Sequence, residues 1–220
     1  MRERRPRLLL ADDHPLMLEG LKKLLEPGFE VVGMAANGPA LLEAAKVLRP
    51  DLVVTDISMP GMDGIEATRR LSELVPAARV LILSVHTESS WVSAAFEAGA
   101  CGYLTKISAP EEIENAVREV LRGNFYVSPA VAGAFVGRVK GDFAETAPAR
   151  RPAAGEPLTP RELDIVRLVG KGLCNKDIAL QLGVAVTTVR THLNKVYDKL
   201  DSGSRVELAL YAAHSREAVM

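Results

Sequence analysis

Leu52-Val53-Val54-Thr55-Asp56-Ile57-Ser58-Met59-Pro60-Gly61-Met62-Asp63-Gly64 is an apolar run that stops on a carboxylate and passes into a loop marked by proline and glycine. Three other runs in the first half of the chain end in a similar way. Leu8-Leu9-Leu10 leads into Asp12-Asp13, Val80-Leu81-Ile82-Leu83 stops at Ser84, and the run over 101–104 is followed by Lys106. Strands are predicted over 7–12, 29–35, 51–55, 79–84 and 101–104, and helices over 15–26, 38–49, 64–75, 88–98 and 110–122. This alternation predicts a doubly wound α/β domain, a five-stranded parallel sheet with helices on both faces. The strands read as continuous Leu, Val and Ile, as expected when both faces of a sheet are buried. Ligands of such sheets bind beyond the carboxyl ends of the strands. Three carboxylates, a hydroxyl and an ammonium are therefore expected to converge on one edge.

That convergence has a chemistry. Asp12, Asp13 and Asp56 gather negative charge, which calls for a cation, and all-oxygen ligands that leave room for water suit Mg²⁺. A carboxylate beside Mg²⁺ can attack a phosphoryl group and form an acyl phosphate. Ser84 and Lys106 would hold the new phosphoryl oxygens. Taken singly, each residue has an ordinary reading: a strand-to-loop turn for the aspartates, a solvated side chain for Lys106. Their placement at the ends of successive runs favours the site. His14 reads as a loop or helix start beside the pocket, not as a catalytic base.

Local signals agree with the predicted elements. Ser108 ahead of Pro110, Glu111 and Glu112 suits a helix cap, an early proline and acidic residues at a positive helix end. Pro27-Gly28 and Arg49-Pro50 end helices. Residues 124–139 read as a turn and one more short helix. From 141 to 157 the chain is rich in Ala, Pro, Gly and Arg, which cannot bury a core and reads as a flexible linker. A small all-helical domain follows, with helices predicted near 160–171, 175–182, 186–200 and 204–214. In the third of these Val189, Leu193, Val196 and Leu200 share one face. Thr187, Arg190, Thr191, Asn194 and Lys195 project largely from the other side. Small Ala179 permits a close helix crossing, and Gly183 suits a tight turn.

The bulk numbers set limits. A chain of 220 residues holds one large or two small domains. Hydrophobic residues at 48 % and charged residues at 25 % give an ordinary globular composition, which argues against disorder and membrane classes. No apolar run approaches the roughly 20 residues that span a bilayer. Arg2-Glu3-Arg4-Arg5-Pro6-Arg7 before Leu8-Leu9-Leu10-Ala11 imitates a signal peptide, but the apolar stretch is too short and meets two aspartates at once. Cys101 and Cys174 lack a metal-type spacing, so two buried thiols in a reducing cytoplasm are expected. The net charge of −1 hides an asymmetry. Residues 1–130 carry 14 Lys and Arg against 18 Asp and Glu, whereas 156–220 carry 9 against 8. Nucleic-acid binding by the tail must therefore be argued from where its charges sit.

Residues 1–122 resemble a response-regulator receiver domain, a flavodoxin-like fold. The matching strings are Leu10-Ala11-Asp12-Asp13-His14, the run from Val54 through Asp56 to Met59-Pro60 and Asp63-Gly64, Leu83-Ser84, and Gly102-Tyr103-Leu104-Thr105-Lys106. The resemblance implies that Asp56 accepts a phosphoryl group from a sensor histidine kinase. It implies Mg²⁺ on Asp13, Asp56 and the Ser58 backbone carbonyl, with Asp12 acting through water. Ser84 and Lys106 would contact the phosphate, and Ser84 and Tyr103 match the family's switch pair. Many receivers carry proline after this lysine, with a cis peptide; Ile107 stands there instead, so a cis bond is not expected.

The tail domain, residues 158–220, resembles a LuxR-type helix-turn-helix over about 158–213. The strings are Leu158-Thr159-Pro160-Arg161-Glu162, Asn175-Lys176-Asp177-Ile178-Ala179, Thr188-Val189-Arg190-Thr191-His192, Lys199-Leu200 and Ser204-Arg205. With the receiver and an extra helix and linker over 123–157, this is the NarL/FixJ type of regulator. The resemblance implies groove contacts to double-stranded DNA from Arg190, Thr191 and Asn194. It implies phosphate contacts from Lys176, Thr188 and Lys195, with Lys199 a weaker candidate, and a homodimer through the last helix. Ala185 stands where the family often has a capping serine, and Asn194 replaces a commoner basic residue. Two other classes fit parts of the chain: a module whose tail binds protein, and a Mg²⁺-dependent phosphohydrolase with an aspartyl nucleophile. The second lacks a substrate-recognition loop of any size.

Overall fold

The computed structural model describes residues 4–131 and 157–200, together with 205, 208, 209, 211 and 212. The chain divides into two compact units, residues 1–131 and 132–220.

The first unit alternates strand and helix. Its strands are β1 (Arg7–Ala11), β2 (Glu30–Ala35), β3 (Leu52–Asp56), β4 (Arg79–Ser84), β5 (Gly102–Thr105) and β6 (Tyr126–Val127). Its helices are α1 (Pro15–Leu25), α2 (Gly38–Leu48), α3 (Gly64–Leu74), α4 (Ser89–Ala98) and α5 (Ala109–Arg122). The strands lie in the order β2-β1-β3-β4-β5-β6, and every neighbouring pair is parallel. Leu8, Leu9, Leu10, Leu52, Val53, Leu81 and Ile82 are fully buried, which is why these runs show no polar alternation. The order reverses between β1 and β3, the place where such sheets bind ligands.

Two expectations need correction. The sheet has six strands, not five, because Tyr126 and Val127 pair with Gly102 and Tyr103 where a turn was expected. Two residues carry no periodicity, so this strand had no pattern to announce it; it forms because it covers the open edge of β5. The second correction concerns Ser108. It stands at the start of α5, but its backbone is helical (φ −84°, ψ −9°) and its side chain makes no capping bond. The hydroxyl accepts a hydrogen bond from Thr105 Oγ1 at 2.9 Å instead. Asp63, which no sequence signal had marked as a cap, caps α3 by accepting from Glu66 N at 2.7 Å. α2 ends at Arg49 ahead of Pro50, as expected, with Arg49 in the left-handed region (φ 47°) in which many helices terminate.

The second unit has three fully described helices: α6 (Pro160–Gly170), α7 (Asn175–Leu182) and α8 (Val186–Leu200). Thr159 and Glu162 form a reciprocal capping box at the start of α6. Ile165, Val169, Ile178, Val189, Leu193 and Val196 build the core, and Leu208 and Ala212 join it. Buried Ala179 lies in that core, and Gly183 ends α7 with φ +65°. The extra helix and linker expected over 123–157 lie largely outside the described residues, as does most of the helix expected over 204–214. Among the described residues no helix is long and apolar enough to cross a membrane.

Candidate functional site

Parallel register sets the pocket. Asp56 pairs with Leu83, and Ser84 pairs with Thr105, so Asp56, Ser84 and Lys106 lie within about one residue of a common row. Asp12 follows the last residue of β1 on the same edge. The aspartates do converge. Ligand atoms of Asp12, Asp13, His14 and Asp56 all lie within 4.8 Å of one another. Asp12 and Asp56 are buried. Lys106 Nζ reaches both, 2.7 Å from Asp12 Oδ2 and 2.7 Å from Asp56 Oδ2. Burial pulls the lysine's pKa down, but the bonds to Asp12 and Asp56 outweigh it and hold the ammonium above its ordinary range. A buried carboxylate pair facing one ammonium, with a third carboxylate at the rim, leaves oxygen donors for a small hard cation. The donor set therefore fits Mg²⁺.

His14 is indeed a helix start, the residue ahead of α1. Its ring also enters the cluster: Nδ1 lies 3.0 Å from Asp12 Oδ1 and 2.8 Å from Asp13 Oδ1. Sequence reasoning placed His14 near the pocket but did not give its ring this contact.

The backbone of the site is held by close packing. A Cβ on Gly64 would lie 1.9 Å from the Asp56 carbonyl oxygen. Gly64 N donates to Ile57 O at 2.8 Å, folding the loop after Asp56 back on itself.

Ser84 and Tyr103 meet at the loop after β4. Ser84 is fully buried, and its Oγ accepts from His86 N at 3.1 Å. Tyr103 is also fully buried, turned inward, and its hydroxyl donates to His86 O at 2.9 Å. Burial above all pushes its pKa up to about 12, with the Ser84 hydroxyl opposing. The His86 ring stacks on Trp91 at 4.6 Å, and its Nε2 lies 3.3 Å from Ser58 Oγ. His86 thus touches both loops that frame the pocket. No motif signalled it; only its position two residues after Ser84 pointed there.

In the second unit α8 presents Thr191, Asn194 and Lys195 to solvent, while Lys176, Thr188 and Arg190 are half-buried. Lys199 does not join that surface. Its Nζ lies 2.9 Å from Glu162 Oε2, and both side chains are largely buried. Lys199 therefore ties the end of α8 to the start of α6. The bond to Lys199 is also the main reason that the Glu162 carboxyl lies below its ordinary range; burial opposes the shift, and Thr159 adds to it. Arg205 makes a further tie: its guanidinium donates to Asn175 Oδ1 at 2.6 Å and to Leu173 O.

Known proteins match both units. The response regulator receiver domain family matches residues 8–118, and the luxR family of bacterial regulatory proteins matches residues 156–212. The nitrate/nitrite response regulator protein NarL of Escherichia coli (strain K12) is 36 % identical over 211 residues, covering 95 % of each chain. The chain belongs to the NarL/FixJ-type response regulators. The transcriptional regulatory protein LiaR of Bacillus subtilis (strain 168) is 36 % identical over 208 residues, with 94 % of this chain and 96 % of LiaR covered. A LuxR-family two-component response regulator from Aurantimonas sp. SI85-9A1 has a similar structure. It has a TM-score of 0.59 and 40 % identity over 61 % of this chain and 98 % of that one. As a NarL/FixJ-type regulator, the chain pairs a receiver with a DNA-binding domain that regulates transcription.

Proposed function

We propose that Asp56 is the phosphoacceptor and that its occupancy governs DNA binding by the tail. The observation that carries this is Lys106 Nζ at 2.7 Å from the buried Asp56 carboxylate, at the strand end where Asp12 and Asp13 converge. The donor is a phosphohistidine on a sensor kinase, the partner that a receiver domain implies. An Asp56 oxygen forms the new P–O bond as the donor's P–N bond breaks, and the imidazole leaves with the electron pair. The Lys106 ammonium and the Ser84 O–H then hold phosphoryl oxygens, with Ser84 Oγ oriented by the bond it accepts from His86 N. Asp12, Asp13, Asp56 and the Ser58 carbonyl would hold Mg²⁺. When bound, the cation offsets the negative charge that gathers around the incoming phosphoryl group.

An open groove of about 500 Å³ beside the pocket, lined by Leu16, Leu21, Leu24, Val85, Lys106 and Pro110, supports a protein donor. Leu16, Val85 and Leu24 are all exposed along it, so the groove presents a contiguous apolar surface of the kind that partners cover. The chemistry stops at one acyl phosphate, so the protein works as a switch and not as an enzyme of multiple turnover. Tyr103 already lies inward, so phosphorylation would stabilise an available state rather than create one.

In the tail, Arg190, Thr191 and Asn194 would contact base edges, and Lys176, Thr188 and Lys195 would contact DNA phosphates. The active species is a homodimer in the cytoplasm. Acetyl phosphate with Mg²⁺ tests the input: intact mass should show one phosphoryl group on wild type and none on Asp56→Asn or after chelation. Equal labelling of Asp56→Asn would sink the assignment.

A further inference from the structure

The turn that carries Lys106 has little apolar anchorage. Ile107, at its tip, is 87 % exposed. Hydroxyls close the turn instead. Ser108 N donates to Thr105 Oγ1 at 3.2 Å, and Thr105 Oγ1 donates to Ser108 Oγ at 2.9 Å. One side chain therefore bridges the ends of the turn twice, in the manner of the hydroxyl-closed turns that serine and threonine form. The position is costly to leave unpaired, because Thr105 is buried. This explains why Ser108 gives up the helix cap that its sequence position offers.

The clamp has a backing. Ser128, fully buried and just past β6, points its Oγ toward Ser108 Oγ at 3.5 Å. Its backbone N donates to Tyr103 O at 2.9 Å. On the other side Lys106 N donates to Ser84 O at 2.8 Å. The Lys106 turn is thus fixed at its start to β4, across its ends by Thr105 and Ser108, and from behind by the strand that leaves the receiver.

We propose that Thr105 and Ser108, backed by Ser128, are positioning residues for Lys106: their hydroxyl clamp sets where the ammonium meets the phosphoryl group. The proposal rests on Asp56 as phosphoacceptor and Lys106 as its partner. A clamp that acts through Lys106 has a signature that a general packing role lacks, namely non-additivity with the lysine.

The experiment measures the initial rate of Asp56 labelling by acetyl phosphate with Mg²⁺ in the full-length protein. Thr105→Val keeps the shape and removes the hydroxyl; Ser108→Ala is the second variant should the first fold poorly. In the Lys106 background either should slow labelling about tenfold, the scale on which a misplaced reacting group acts. In the Lys106→Ala background the same change should cost less than about twofold. Thr105→Ser and Ser108→Thr should restore the rate. Equal slowing in both backgrounds, or no slowing with Lys106 present, would overturn the clamp while leaving the pocket assignment intact. Undiminished labelling of Asp56→Asn would overturn the pocket assignment and the clamp with it.

Discussion

At Gly64 the sequence states a chemical need that only the fold explains. The Asp-Gly step after the Met59-Pro60 turn marks a loop, but the reason for glycine is the Asp56 carbonyl, 1.9 Å from where a Cβ would stand. Gly64→Ala should therefore shift the backbone of Asp56 itself. We expect a loss of about 1–3 kcal/mol in urea unfolding, in the range of overpacked sites, with slower labelling of Asp56. Tyr103 makes a subtler case. Its hydroxyl donates to His86 O from a fully buried ring, so Tyr103→Phe should cost about 1 kcal/mol by leaving that carbonyl short of a partner. Asp12, Asp13, Asp56, Ser84 and Lys106 were legible because strand ends in a parallel sheet share an edge. His86 and Ser128 were not, because each acts through a tertiary contact that no spacing rule encodes.

Elements were legible where a long pattern defined them. Every strand of Leu, Val and Ile and every amphipathic helix of the first unit lies within a residue or so of its expected bounds. β6 was missed because two residues have no period, and Ser108 was misread because one local signal, the helix cap, lost to another, the hydroxyl-closed turn with Thr105. In the second unit two predictions belong to helix ends. Ala185 O accepts from Val189 N, which makes Ala185 the N-cap of α8, yet it has no side-chain acceptor. Ala185→Ser should add about 1 kcal/mol to the stability of the tail, read as a rise in melting temperature. The Glu162–Lys199 bond joins α6 to α8, and the folded carboxyl lies below its unfolded value. Its stabilisation is present above the unfolded carboxylate range and lost as pH falls through the lowered folded value. Melting of wild type and Glu162→Gln across an acidic pH series should show the wild type losing more stability. Parallel curves would remove the pair from the account.

Across the whole molecule, the two units and the families they match were legible in the sequence, while the route from input to output lies beyond what single motifs encode. Charge decides what kind of output is plausible. The tail is nearly neutral overall, so the proposed DNA contacts rest on the few cations on and beside α8. Binding should weaken steeply with salt, and Lys195→Ala should lower the slope of log K against log salt by about 1 while Arg190→Ala removes discrimination between sites. A salt-independent interaction would point to a protein ligand for the tail. The central claim is that the acyl phosphate on Asp56 governs this binding. Recovery of genomic DNA fragments by purified full-length protein, wild type and Asp56→Asn, each with and without acetyl phosphate and Mg²⁺, tests it most directly. Acetyl phosphate should raise wild-type recovery of specific sites about tenfold and leave Asp56→Asn unchanged. Identical recovery from the two proteins under both conditions would contradict it.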